Sequence, residues 1–124
     1  MAKPVPPLRD LIGATFAALK RLGGERSVQQ LRDRVIDDLQ LGADILSIAH
    51  GNKGTSELEY RLAWARTYLR NHGLVTKVRY SAWALTRAGE EVEAVDPREV
   101  MRAADLRKRL AREARTKDEG SRAP

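Results

Sequence analysis

Ser56-Glu57-Leu58-Glu59-Tyr60-Arg61-Leu62-Ala63-Trp64-Ala65-Arg66-Thr67-Tyr68-Leu69-Arg70-Asn71-His72-Gly73-Leu74-Val75 is the stretch on which the fold turns. Ser56 followed three residues later by Glu59 has the form of a capping box, in which a Ser hydroxyl and a Glu carboxylate satisfy helix-opening N–H groups. Leu58, Leu62, Ala65 and Leu69 then fall within an arc of about 60° on a helical wheel, and Gly73 supplies a stop. The spacing predicts a helix over 56–72. Two short runs follow, Leu74 to Val78 and Ala82 to Thr86, rich in Val, Leu, Trp and Thr around Arg79-Tyr80-Ser81. They predict a β-hairpin over 74–86.

Upstream, Leu8, Leu11, Ile12, Phe16, Leu19 and Leu22 recur at three- and four-residue steps after Pro6-Pro7, predicting a first helix that ends at Gly23-Gly24. Ser27 with Gln30 is a second capping box, and Val28, Leu31, Val35 and Leu39 carry a second helix that Gly42 should close. Residues 43–55 read as a partly packed loop with a turn at Gly51-Asn52-Lys53-Gly54. Downstream, Thr86 starts a short helix through Val95. Asp96-Pro97-Arg98-Glu99 then opens a last helix, from an N-cap acid and a Pro at the first helical position.

The resulting fold class is mainly α with a small β-hairpin (α+β). Helix, helix, helix and hairpin in that order are the winged helix-turn-helix layout, here with a C-terminal helix added. Residues 1–96 are expected to form the winged helix-turn-helix domain. Residues 97–124 are expected to form a basic C-terminal helix and frayed tail whose thin apolar stripe, Ala103, Leu106, Leu110 and Ala114, adds little to the core.

Composition narrows the function. The chain has no Cys and two His, which excludes disulfide frameworks, zinc fingers, iron–sulfur sites and thiol nucleophiles. Its start, Met-Ala-Lys-Pro-Val-Pro-Pro, lacks the apolar region of a signal peptide, and no apolar run has the length of roughly 20 residues that a membrane span needs, so a cytoplasmic location is expected. The net charge of +6 points to a polyanionic partner. Residues 97–124 hold 9 basic and 5 acidic side chains against 14 and 12 in the rest, so most of that excess sits in the tail.

Catalysis by this chain is not expected. His50 and His72 have no evident partners for nucleophilic or acid–base work, and the pairs Asp37-Asp38 and Glu90-Glu91 point about 100° apart on a helix. A common type of metal-dependent nuclease places an acid two residues before a catalytic Lys; Met1, Ala18, Gly51, Val75, Leu106 and Arg115 occupy those positions instead. Phosphate-cradling glycine motifs are missing too, so no cofactor and no metal are expected.

What remains is the outward side of helix 56–72. Tyr60, Ala63, Trp64, Thr67, Arg70 and Asn71 lie opposite the leucine stripe, flanked by Arg61 and Arg66. Arg, Asn and Thr can read base edges from a helix laid in the major groove. Thr67, Arg70, Asn71 and Tyr60 are therefore expected to face double-stranded DNA, with Arg61 and Arg66 at the groove walls and Lys53, Lys77 and Arg79 on the backbone. Trp64 is assigned first to packing. The competing reading is that these arginines are simply solvated and that the winged helix serves protein docking. The tail is the other candidate site: if its Leu106–Leu110 stripe pairs with that of a second copy, the protein is a homodimer with two recognition helices set at a half-site spacing.

Glu59-Tyr60-Arg61-Leu62-Ala63-Trp64-Ala65-Arg66-Thr67-Tyr68-Leu69-Arg70, Gly73-Leu74-Val75, Trp83-Ala84-Leu85-Thr86 and Gly89 together resemble the N-terminal winged-helix DNA-binding domain of Mrr-type restriction system proteins. The likeness runs from about Leu8 through Gly89. It implies DNA binding in a restriction or defence context; action as a small transcription regulator is the other expected role. Family members usually carry a nuclease domain after this one. Here only residues 97–124 follow, so cutting would fall to a separately encoded nuclease. The hairpin tip has no Gly where the family tends to have one, and a wing that is short or differently shaped is expected.

Overall fold

The structure is a computed structural model that describes residues 4–52 and 54–121, with side chains through residue 116. Among the described residues, six helices and a small sheet follow in the order α1 (Leu8–Leu22), β1 (Arg26–Ser27), α2 (Val28–Leu39), α3 (Ala43–Leu46), α4 (Glu57–Asn71), β2 (Val75–Arg79), β3 (Ala82–Leu85), α5 (Arg87–Glu91) and α6 (Pro97–Ser121). The α+β class read from the sequence stands. No helix of the described residues is long and apolar enough to cross a membrane.

The caps place the helices. Ser27 and Gln30 make the full reciprocal box, with Gln30 N–H donating to Ser27 Oγ at 3.0 Å and Ser27 N–H to Gln30 Oε1 at 2.9 Å. At α4 only half of the box forms: Ser56 Oγ accepts from Glu59 N–H at 3.1 Å, while the Glu59 carboxylate reaches across to Arg32 at 3.0 Å. An ion pair to α2 has outcompeted a local hydrogen bond. The C-terminus of α4 follows expectation. Gly73 at φ 82° lets Leu74 N–H bond Leu69 O at 3.1 Å and Gly73 N–H bond Arg70 O at 3.0 Å, the paired bonds of a Schellman turn.

The same turn ends α2 two residues earlier than predicted. Gln40 takes the left-handed position at φ 51°, with Leu41 N–H on Ile36 O at 3.0 Å, and Gly42 becomes the N-cap of α3. Half-buried Leu41 and Ile36 both pack against the core, the apolar pair that commonly accompanies such a turn. α3 falls where the sequence predicts a loop. It is a single helical turn that buries Ile45 and leads into a bridge between Ala49 and Ser56.

The sheet has a third strand. β1, two residues between α1 and α2, pairs antiparallel with β3, giving the order β1-β3-β2 with β3 central. In the hairpin Lys77 lies opposite Trp83 and Arg79 opposite Ala82, so Val78 is bulged out of register. The turn closes through Tyr80 and Ser81, with Ser81 at φ 65° where a glycine would be unstrained.

The core is Leu11, Ile12, Phe16 and Leu19 of α1 against Leu58, Leu62, Ala65 and Leu69 of α4, closed by Leu31, Val35, Ile45, Val75 and Trp83. α6 joins it. Val100 is 1% exposed and Ala104 is buried, both set where α6 crosses α1 and α4. The expected stripe is displaced: Leu106 and Leu110 are 46% and 53% exposed, because only the first turns of the helix lie over the domain. The helix continues to Ser121, past the point where fraying was expected.

Candidate nucleic-acid interface

α4 presents three sides. The leucine side faces α1. The second, with Glu59, Leu62 and Arg66, lines a groove against Val28, Gln29 and Arg32 of α2. The third, with Tyr60, Trp64 and Tyr68, looks toward the N-terminal segment and α6. Between the last two lie Ala63 and Arg70, while Thr67 and Asn71 border the third side beside Trp64 and Tyr68.

The acids at the start of α4 are neutralised inside the protein. Glu57 Oε2 is 2.5 Å from His50 Nδ1, and Glu57 Oε1 accepts from Arg61 Nε at 2.8 Å. Arg61 also donates through Nη1 to the carbonyls of Val5 and Pro6, each at 3.0 Å, tying the N-terminal segment to α4. The hydrogen bonds from His50 and Arg61 hold the Glu57 carboxyl below its ordinary value. A carboxyl with a lowered folded pKa contributes stability above the ordinary carboxylate pKa and loses it as pH falls through the folded value. Glu57→Gln should therefore be less stable than the native chain at about pH 6, and the gap should narrow as pH falls below the ordinary carboxylate range. Urea midpoints above and below that range check this; a gap that does not change would place the stabilisation elsewhere.

The structure does not bring all the expected contact residues to one free surface. Arg70 and Asn71 are exposed on the last turn of α4, directly before the hairpin, and Arg70 makes no ion pair among the described residues. Thr67 is half-buried, its hydroxyl donating to Ala63 O at 3.0 Å. Tyr60 stacks on His50 with ring centroids 3.6 Å apart. Arg61 is the N-terminal clamp just described. Arg66 lies 5.7 Å from the Trp83 ring, and burial lowers its pKa below the ordinary arginine value. Lys77 is exposed, 5.4 Å from the Tyr80 ring. Arg79 is bound to Glu25, with Nε to Oε1 at 2.6 Å and Nη2 to Oε2 at 3.3 Å. Lys53 lies outside the described residues.

Sequence reading missed His50, Tyr68 and Lys108. Lys108 of α6 stands 5.9 Å from both the Trp64 and the Tyr68 rings. Trp64, assigned to packing, is 41% exposed. Tyr60, Trp64 and Tyr68 at four-residue steps were a readable signal, since such residues stack in a row on a helix. Nothing local in the sequence announces that α6 would return a lysine to that row. Among the described residues no group of three or more His, Asp or Glu is placed to hold a metal ion.

A protein-family model described as the Mrr N-terminal domain matches residues 9–95, from the first turn of α1 to the residue before Asp96. The chain belongs to this family. No curated protein and no solved structure matches it. Membership links the chain to Mrr-type restriction systems. In this Mrr N-terminal domain the Leu85-Thr86-x-x-Gly89 segment has a structural task. Thr86 Oγ1 donates to Gly73 O at 2.6 Å and accepts from Gly89 N–H at 3.1 Å, while Thr86 N–H bonds Leu74 O at 3.0 Å. One threonine thus joins the end of α4, the start of β2 and the first turn of α5. Helix α6 lies outside the matched span, although its first turns complete the core of the Mrr N-terminal domain.

Proposed function

We propose that this domain is a non-catalytic binder of double-stranded DNA, in which α4 is the reading helix and the β2–β3 hairpin is the wing. The carrying observation is the charge arrangement on α4. Glu57 and Glu59 are each paired with an internal cation, so neither repels a phosphate at full strength, whereas Arg70 and Lys77 remain exposed and free of acids among the described residues. Arg70 is the base reader in this reading, with Asn71 and Thr67 beside it. Lys77 contacts the backbone.

Fluorescence anisotropy on matched and scrambled duplexes at two salt concentrations tests it. Arg70→Ala should cost about 1 to 3 kcal/mol on the preferred duplex and relax preference at one position, since a guanidinium fork fits guanine O6 and N7. Thermal stability should change by less than about 0.5 kcal/mol because the side chain is exposed. Lys77→Ala should weaken all sequences alike and flatten the salt dependence. An Arg70→Ala protein that binds every duplex as the native chain does removes Arg70 as a reader.

The second reading, a protein-docking module, draws on the exposed Leu106 and Leu110 of α6. If these pair between copies, sedimentation gives a dimer that Leu106→Asp returns to monomer; a native monomer at high concentration counts against it.

A further inference from the structure

The geometry points to a second nucleic-acid site on this domain, a cleft between α4 and α6 that takes unpaired nucleotides of a single strand. An open cleft of about 530 Å³ is lined by Tyr60, Trp64 and Tyr68 of α4, by Lys108 of α6, by Pro7 and Leu8, and by Glu57, whose carboxylate is held by Arg61 of the same lining. It runs on past Trp64 and Tyr68 into a smaller recess of about 100 Å³ that includes Arg107. The cleft is thus an aromatic row with Lys108, and Arg107 of the recess, across from it, its one acid already paired with Arg61.

Each feature fits a single strand better than a duplex or a peptide. Tyr60 and Trp64 are 39% and 41% exposed, a large aromatic area for a small soluble domain to leave in water. Residues four apart on a helix advance about 6 Å along its axis, a step that an unstacked strand can follow. Stacked duplex bases, at about 3.4 Å per step, have no free faces to offer. The Trp64 and Tyr68 rings are 6.2 Å apart and tilted by 48°, so each is set to receive its own base instead of clamping one between them. One face of Tyr60 is covered by His50 at 3.6 Å, which fixes the ring and leaves the other face free. Opposite, Lys108 and Arg107 have no acidic partner among the described residues. Lys108 already rests over two of the rings, and its flexible stem lets it move from ring to phosphate. Base stacking on aromatics with cations along the backbone is the general physics of single-strand binding. Thr67 and Asn71, placed beside Arg70 in the duplex reading, also border the recess, but Arg70 lines neither the cleft nor the recess, so Arg70→Ala separates the two sites.

The test uses the full chain and a fluorescein-labelled oligothymidylate of about 12 nucleotides, a matching oligouridylate, and a duplex of equal length. Both single strands should bind, and the unlabelled strand should quench tryptophan fluorescence, because Trp64 is exposed while Trp83 is buried under Arg66. Trp64→Leu should weaken single-strand binding about tenfold. Lys108→Ala should weaken it several-fold and lower the salt slope by about 0.7. Arg70→Ala should leave it within about twofold while changing duplex binding. A preference between the two strands identifies the sugar the cleft accepts. The proposal is overturned if neither strand binds, or if Trp64→Leu and Lys108→Ala both bind within twofold of the native chain, which would mean that diffuse positive charge does all the holding. Urea unfolding of both variants shows whether they are folded. If Trp64→Leu is not, Lys108→Ala, altered at an exposed position, decides the outcome alone.

Discussion

Gly89→Ala should destabilise the fold by about 2 to 3 kcal/mol, lowering the melting temperature by roughly 10 °C for a domain of this size. Helix propensity alone would favour alanine by about 1 kcal/mol at a helical position. Sterics oppose it: a Cβ on Gly89 would stand 2.1 Å from the Leu74 carbonyl oxygen and 3.1 Å from its carbon. That carbonyl cannot rotate away, because it accepts from Thr86 N–H at 3.0 Å and belongs to the turn that launches β2. The clash therefore outweighs the propensity. Gly13 is the internal control, since it also lies in a helix but its Cβ would meet only the Pro97 ring at 3.6 Å, an ordinary contact. Gly13→Ala should be neutral or stabilising by up to about 1 kcal/mol. Thermal melts of the two variants side by side decide the matter, and a Gly89→Ala protein as stable as Gly13→Ala would refute the close approach.

The second large effect concerns α6. Val100→Asp should cost about 3 kcal/mol or more, because it places an unpaired carboxylate at a position 1% exposed between α1 and α4. An acid near a helix N-terminus regains at most about 2 kcal/mol from the helix dipole, too little to compensate. Leu106→Asp, on the same helix at 46% exposure, should change stability by no more than about 0.5 kcal/mol. Chemical denaturation of the pair tests whether α6 docks through its first turns. Equal midpoints would mean that it does not dock. Deleting residues 97–124 should likewise destabilise the remainder, since it uncovers the core around Val100.

Much of the architecture was legible because it is local. The capping box at Ser27, the stop at Gly73, the leucine stripe of α4 and the Asp96-Pro97 start of α6 each depend on residues a few positions apart, and each forms as its spacing predicts. Departures came from partners distant in sequence. Glu59 leaves its cap for Arg32, β1 exists only because β3 lies beside it, and Val100 is core only because α1 and α4 create the space. Gln40 is different. Its left-handed turn was hidden because glycine is the usual signal for that conformation, and a glycine stood two residues on. The candidate surface was legible at Arg70 and Asn71, whose exposure follows from the wheel. It was not legible at Arg61, Arg66 and Arg79, whose charges are engaged by the Val5 and Pro6 carbonyls, the Trp83 ring and Glu25.

The bulge at Val78 has a consequence for how the protein behaves at high concentration. β2 is the outer strand of the sheet, and an outer strand carrying Val75, Thr76 and Val78 offers unpaired backbone groups on which a neighbouring molecule could build a fourth strand. The displaced Val78 interrupts that template toward the hairpin tip, and Lys77 and Arg79 on either side of it would bring like charges together across any such contact. The irregular hairpin thus protects the molecule from joining its copies edge to edge, and straightening it with neutral, β-favouring residues would invite fibrillar association in a chain that is otherwise mostly helical.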